Sequence, residues 1–384
     1  MAWWREFEAS TVERDFSLLA DYGFDVVRIF LLWEDFQPGM GEVSVPSLDH
    51  LVQVAEVAIH YKLQILPTFF TGHMNGVNWL PPWMLKSGKG DERFPIFSRG
   101  NVQKASIRNF YSERDIWKAQ RLLIREVANA LQGHPAIWGW DLGNKPSNVL
   151  CPSSKDMARA WLEEMITELK RRDENLPVTL GLHQEDLEED RVLGPKEAGA
   201  FCDVLSMGAY PCYAEWTDGP LDEKVPLFLA LLTGWLGGKA VFLGEFGVPT
   251  EPGEGALSPE DREKLGDVEL ISEGDAGKYY RTVFELMIAH GFPGAFAWCF
   301  SDYEPALWDV FPLDDHVHER YFGLFRWNGS AKEATKVIPP LDRRRGKREP
   351  HSDWIDIKPD EYYRRPREHL GRLYHRFKER FPEV

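Results

Sequence analysis

Apolar positions along the chain repeat with two periods. Phe16, Leu18, Leu19 and Tyr22 recur at helical spacing, as do Leu51, Val54, Val57 and Tyr61, and 112–132 is strongly amphipathic. Ser10-Thr11-Val12-Glu13 has the order of a capping box and predicts where the first helix starts, with Gly23 as its stop. Further helices are expected over about 154–172, 227–236 and 278–290. Between the helices lie short apolar runs at 26–31, 64–70, 137–145, 178–182, 204–207, 241–243 and 294–300. Runs of that length flanked by helices read as strands buried on both faces, the pattern of a parallel α/β sheet. No glycine-rich nucleotide loop follows the first run, which favours a closed (β/α)8 TIM barrel over a doubly wound sheet.

The reading yields seven strands, with no candidate for a strand before the first helix. An open barrel exposes two edges. Three explanations stand open: the Trp3-Trp4 segment covers the gap, another chain does, or the chain is trimmed relative to its relatives. The barrel is expected over 1–338. Residues 339–384 are expected to be a basic linker, carrying Arg343-Arg344-Arg345-Gly346-Lys347-Arg348, and a C-terminal helix packed on the barrel exterior.

Composition narrows the function classes. With 384 residues, 43% of them hydrophobic, the chain can bury one large core. Fifteen tryptophans exceed what core filling needs, and those beside polar loops suggest flat platforms for sugar rings. A net charge of −16 argues against nucleic acid and anionic membrane as partners. No apolar run approaches the ~18 residues of a membrane span. The first residues lack the shape of a signal peptide, so a cytoplasmic, soluble location is expected. Cys151, Cys202, Cys212 and Cys299 show no metal-binding spacing, and a reducing compartment disfavours a Cys202–Cys212 bridge. Neither metal nor cofactor is expected.

In a parallel barrel the C-terminal strand ends carry the chemistry. Those ends present Arg28, His73, Asn144-Lys145, His183, Gly208 to Tyr210, Glu245 and Trp298. A carboxylate between two glycines after an apolar run, as at Glu245, costs several kcal/mol to bury unless it is paired or used. If the strands share one sheet, Lys145 and Glu245 face one pocket.

As an ordered set these residues resemble the family 5 glycoside hydrolases, retaining enzymes that cleave β-linked glycans. The resemblance rests on Arg28 in Val-Arg-Ile-Phe, His73 in Gly-His-Met, and Trp140-Asp141-Leu142-Gly143-Asn144-Lys145-Pro146. It extends to Tyr210 in Ala-Tyr-Pro, Glu245 in Gly-Glu-Phe-Gly and Trp298 in Ala-Trp-Cys-Phe. It implies Glu245 as nucleophile, Asn144 on the sugar 2-hydroxyl, Arg28 and Tyr210 positioning Glu245, and Trp298 flooring the sugar site. His73, His183 and Gly208 would complete the lining.

Two positions depart from that family. Lys145 stands where the resemblance implies the acid/base glutamate, and Gly208 where it implies a histidine. An alkylammonium is a poor proton donor to a glycosidic oxygen, so ordinary hydrolysis is expected to be impaired. Two coordinated changes in an otherwise intact set read as an engineered site rather than drift. They leave two rivals open. One is amine catalysis, in which Lys145 forms a Schiff base with a small aromatic carbonyl compound for retro-aldol cleavage, and Tyr210 or Glu245 moves the proton. The other is a carbohydrate-binding protein without turnover.

Overall fold

The computed structural model describes residues 3–90, 92–253, 257–338 and 352–382. It divides into two compact bodies, Met1–Leu182 with Arg191–Leu205, and His183–Asp190 with Ser206–Val384. Their seven parallel strands alternate with helices, the (β/α)8-barrel class with seven strands among the described residues. The basic run 343–348 lies outside the described residues.

Four strands follow one another in the first part of the chain: β1 (Val26–Leu32), β2 (Gln64–Thr71), β3 (Trp140–Asn144) and β4 (Val178–His183). Val26 pairs with Gln64, Thr68 with Asp141, and Asp141 with Thr179, so three polar side-chain positions stand level across β2, β3 and β4. Helices α1 (Ala9–Asp21), α2 (Val45–His60), α3 (Arg114–Ala130) and α4 (Lys155–Lys170) bury one face each. On α3 that face is Ile116, Ala119, Gln120, Leu123, Ile124 and Val127. The oxygen of its single amide, Gln120 Oε1, accepts from the buried Trp161 indole of α4 at 3.1 Å.

Trp4 lies against β1. It is buried, its indole donates to the Phe30 carbonyl at 2.8 Å, and its ring meets Phe36 edge-on at 4.8 Å. The N-terminal segment thus packs on the first strand present.

The second body carries β5 (Leu205–Ala209), β6 (Val241–Phe246) and β7 (Ala295–Ala297), with helices α5 (Lys224–Gly237) and α6 (Glu273–Ala289). Helix α5 is apolar almost all round, which only a second covering layer allows. The C-terminal helix α7 (Pro366–Arg380) is that layer. Phe228 of α5 meets Tyr374 at 4.9 Å, Phe377 at 5.5 Å and Trp354 at 5.4 Å. The Tyr374 hydroxyl donates to Asp222 at 2.6 Å, so the phenol in this apolar seam stays bonded.

Several local expectations are corrected. The first helix begins at Ala9 after Glu8 with no side-chain cap, so Ser10 and Thr11 are inside it. The tail is two helices, Pro359–Tyr362 and α7, because Pro366 lacks the amide hydrogen that a continuous helix needs. The stretch after β2 forms a small sheet of His73–Met74, Val77–Trp79, Ile96–Ser98 and Asn101–Gln103, strands too short for the sequence pattern to mark. All four cysteines are free thiols. No helix among the described residues is long and apolar enough to cross a membrane.

If α7 is a structural layer, Phe377→Ala should cost about 3–5 kcal/mol in urea unfolding, the usual range for a buried aromatic. A loss under about 1 kcal/mol would show that the α5 face does not depend on it.

Candidate active site

The strand ends of the first body are organised around a buried ion pair. Asp141, wholly inaccessible on β3, accepts from Arg28 Nη2 at 2.6 Å, Arg28 Nε at 3.0 Å and the Thr68 hydroxyl at 3.1 Å on one oxygen. Its other oxygen accepts from the backbone N–H of Gly143 at 3.2 Å and Gly181 at 3.0 Å. Buried charges demand such saturation. Gly181 is a glycine for space: a Cβ there would meet Arg28 Nη2 and the Gly143 carbonyl, each at 2.6 Å.

Arg28 passes this order to Asn144. Its Nη2 donates to Asn144 Oδ1 at 3.1 Å, and Asn144 Nδ2 donates to the His73 carbonyl at 2.9 Å. Both ends of the amide are therefore oriented, and the second Nδ2 hydrogen is the donor this pattern leaves for a ligand. His73 Nδ1 lies 2.9 Å from Asn78 Oδ1, and Asn78 donates to the Asn148 carbonyl at 3.4 Å. The half-buried Lys145 ends the strand in the left-handed region at φ 49°, and its N–H donates to the Gly181 carbonyl at 2.9 Å. Pro146 disfavours the right-handed helical alternative there, and a left-handed lysine stores about 1–3 kcal/mol of strain.

In the second body, Glu245 on β6 is 3% exposed. The Tyr210 hydroxyl, just after β5, donates to its Oε2 at 3.0 Å. Burial, then Glu245, Tyr213 and Glu319 nearby, push the Tyr210 phenol well up, so it remains a donor. Gln184 fixes its backbone by accepting from the Tyr210 N–H at 2.9 Å. The buried His183 precedes Gln184, with Nδ1 3.8 Å from Glu185 and Nε2 3.6 Å from Asp186. Gly208 is buried within β5. The half-buried Trp298 follows β7, its N–H donating to the Phe246 carbonyl at 2.8 Å and its carbonyl accepting from the Tyr280 hydroxyl at 3.0 Å. Gly247 is needed there, since a Cβ would collide with that carbonyl and sit 2.7 Å from the Tyr280 hydroxyl.

Within the first body Arg28, His73 and Asn144 are bonded to one another, and within the second Tyr210 is bonded to Glu245. Sequence reasoning did not assign Asp141, Thr68 or Gln184. Asp141 had a signal, a charge inside an apolar run. Thr68 and Gln184 had none, because each acts through a single hydrogen bond.

No protein-family model matches the chain. It is 30% identical over 107 residues to the protein named "Probable mannan endo-1,4-beta-mannosidase A-2" of Aspergillus terreus, covering 28% of this chain and 23% of that one. The chain therefore matches under a quarter of that relative's length. Among solved structures, the GH5_18 protein of Streptomyces cattleya in complex with GlcNAc superposes with a TM-score of 0.75 at 18% identity, over 95% of this chain and 83% of that one. The fold is that of the family 5 glycoside hydrolases. A second structure from the same organism, in complex with Manb1-4GlcNAc, gives 0.71 at 19% identity, over 91% and 78%. The exo-beta-1,4-mannosidase of Opitutaceae bacterium strain TAV5 gives 0.68 at 22%, over 88% of this chain and 56% of that one.

Within this family 5 fold the buried Arg28–Asp141 pair is a structural requirement. Asp141→Ala leaves the guanidinium buried without its counter-charge and should destabilise by about 3–5 kcal/mol. Adding Arg28→Met should cost less than the sum of the two single changes in a double-mutant cycle. Strict additivity in denaturant unfolding would refute the coupling.

Proposed function

We propose that the chain is a retaining hydrolase of β-linked glycans in which Glu245 is the nucleophile. The observation that carries this reading is the Tyr210 hydroxyl donating to a buried Glu245. A neutral phenol holds the carboxylate in place without neutralising it, as attack on an anomeric carbon requires. The Glu245 carboxylate would form a glycosyl ester as the glycosidic C–O bond breaks, and water would then cleave that ester.

Asn144, oriented by Arg28 and the His73 carbonyl, is the candidate donor or acceptor for the sugar 2-hydroxyl. Arg28, His73, His183, Gly208 and Trp298 are the candidates for the sugar-binding lining, and for Trp298 the resemblance itself implies this role. Mannose-containing chains are the first substrates to test, since the Aspergillus and Opitutaceae proteins carry mannosidase names and a Streptomyces structure holds Manb1-4GlcNAc. Lys145 occupies the position that the resemblance gives to the acid/base group, which leaves the leaving-group oxygen without a proton donor there.

A 2-fluoro β-mannoside with a dinitrophenyl leaving group needs no acid for its departure. It should leave a covalent adduct on the peptide containing Glu245, and Glu245→Gln should abolish that label. No adduct at Glu245, or a borohydride-reducible adduct at Lys145 with a carbonyl substrate in its place, would overturn the reading.

A further inference from the structure

A hydrolase whose strand end carries a lysine has to draw its proton from elsewhere. The second body holds another carboxylate beside the Glu245–Tyr210 pair. Tyr210-Pro211-Cys212-Tyr213 makes a tight 3-10 turn, closed by the Tyr213 N–H donating to the Tyr210 carbonyl at 3.1 Å. The two tyrosine rings therefore lie 5.7 Å apart, and the Tyr213 hydroxyl donates to Glu319 Oε1 at 3.5 Å. Glu245, Tyr210, Tyr213 and Glu319 form one continuous row. Electrostatics agree with the distances, since both Glu245 and Glu319 act on the Tyr210 phenol.

Glu319 is also built in rather than adventitious. Its side chain is 12% exposed, on the short 3-10 helix Val317–Tyr321 in the segment after β7. The neighbouring residues clamp that turn. Arg320 is buried and donates to Asp261 at 2.7 Å, to the Leu313 carbonyl at 2.8 Å and to the Trp308 carbonyl at 3.2 Å. The Tyr321 carbonyl accepts from the Thr250 N–H at 3.0 Å and from Lys332 Nζ at 3.2 Å, and Thr250 stands just beyond β6. The turn carrying Glu319 is thus tied to the strand carrying Glu245. A group held this way keeps one position beside Tyr213.

His318 is a further neighbour. Its Nε2 lies 3.8 Å from Glu319 Oε1, and its ring packs on Tyr213 at 5.8 Å and Phe322 at 6.4 Å. Burial, with His316 beside it, lowers the imidazole to about 4, so the ring is neutral near pH 7. A neutral ring adds no positive charge of its own beside Glu319.

We propose that Glu319 is the acid/base catalyst of this chain, replacing the group absent at Lys145. This rests on Glu245 being the nucleophile. In the first step the Glu319 carboxyl gives its proton to the glycosidic oxygen as the C–O bond breaks and Glu245 forms the ester. In the second, the Glu319 carboxylate takes a proton from water as that water attacks the anomeric carbon, and Glu245 departs as carboxylate. Protons and electron pairs balance over the cycle, with no co-reactant beyond water.

The test compares leaving groups in the full chain carrying Glu319→Gln. With an alkyl β-mannoside or a β-1,4-mannooligosaccharide, kcat should fall about 10²- to 10⁴-fold. With a dinitrophenyl β-mannoside the burst of dinitrophenolate should survive, and azide should restore the slow turnover that follows by forming a glycosyl azide. Glu319→Asp, which keeps the acid but shortens its reach, should show a smaller loss with the same dependence on leaving group, and it decides the case if the glutamine variant does not fold. Equal losses on both substrate types, or no loss on either, overturn the assignment while trapping at Glu245 stands. A wild-type chain that cannot be trapped at Glu245 overturns the reading beneath it.

Discussion

A carboxylate taken out of water must be given hydrogen bonds, and this chain meets that constraint in two contrasting ways. Asp141 is saturated by a guanidinium, a hydroxyl and two backbone amides. With its lone pairs so occupied, it serves as an anchor, fixing Arg28 and through it Asn144. Glu245 is met by a phenol, whose neutral donor orients the carboxylate without quenching it.

The same logic extends outward. Glycines stand where Arg28 and the Trp298 carbonyl approach the backbone too closely for any side chain, at Gly181 and Gly247. Gln184 holds the Tyr210 backbone, and the clamp on Arg320 and Tyr321 holds the turn that carries Glu319. Each contact is modest by itself. Together they fix side chains that must act at one distance and orientation.

Much of the fold was legible because burial leaves a period. Strands buried on both faces show as short apolar runs, and those at 64–70 and 178–182 fall within one residue of β2 and β4. The helix expected over 227–236 lies within α5, whose all-round apolar surface α7 covers. The small sheet between His73 and Gln103 left no such trace, since strands of two or three residues are shorter than any period they could display. At the site, Glu245 was legible from its apolar run and flanking glycines. Asp141 was hidden beside Asn144 and Lys145, which drew the attention its own buried charge merited. Glu319 could not be singled out, because Glu304, Asp309, Asp314 and Asp315 lie in the same acidic stretch and only geometry separates them.

The central claim is that Glu245 forms and then loses a covalent bond to the sugar, which inverts the anomeric centre twice. Proton NMR of the sugar first released from a β-mannoside tests this most directly, before mutarotation blurs the record. The account predicts the β-anomer as the initial product. An initial α-anomer would mean a single displacement by water and would contradict the assignment of Glu245 as nucleophile.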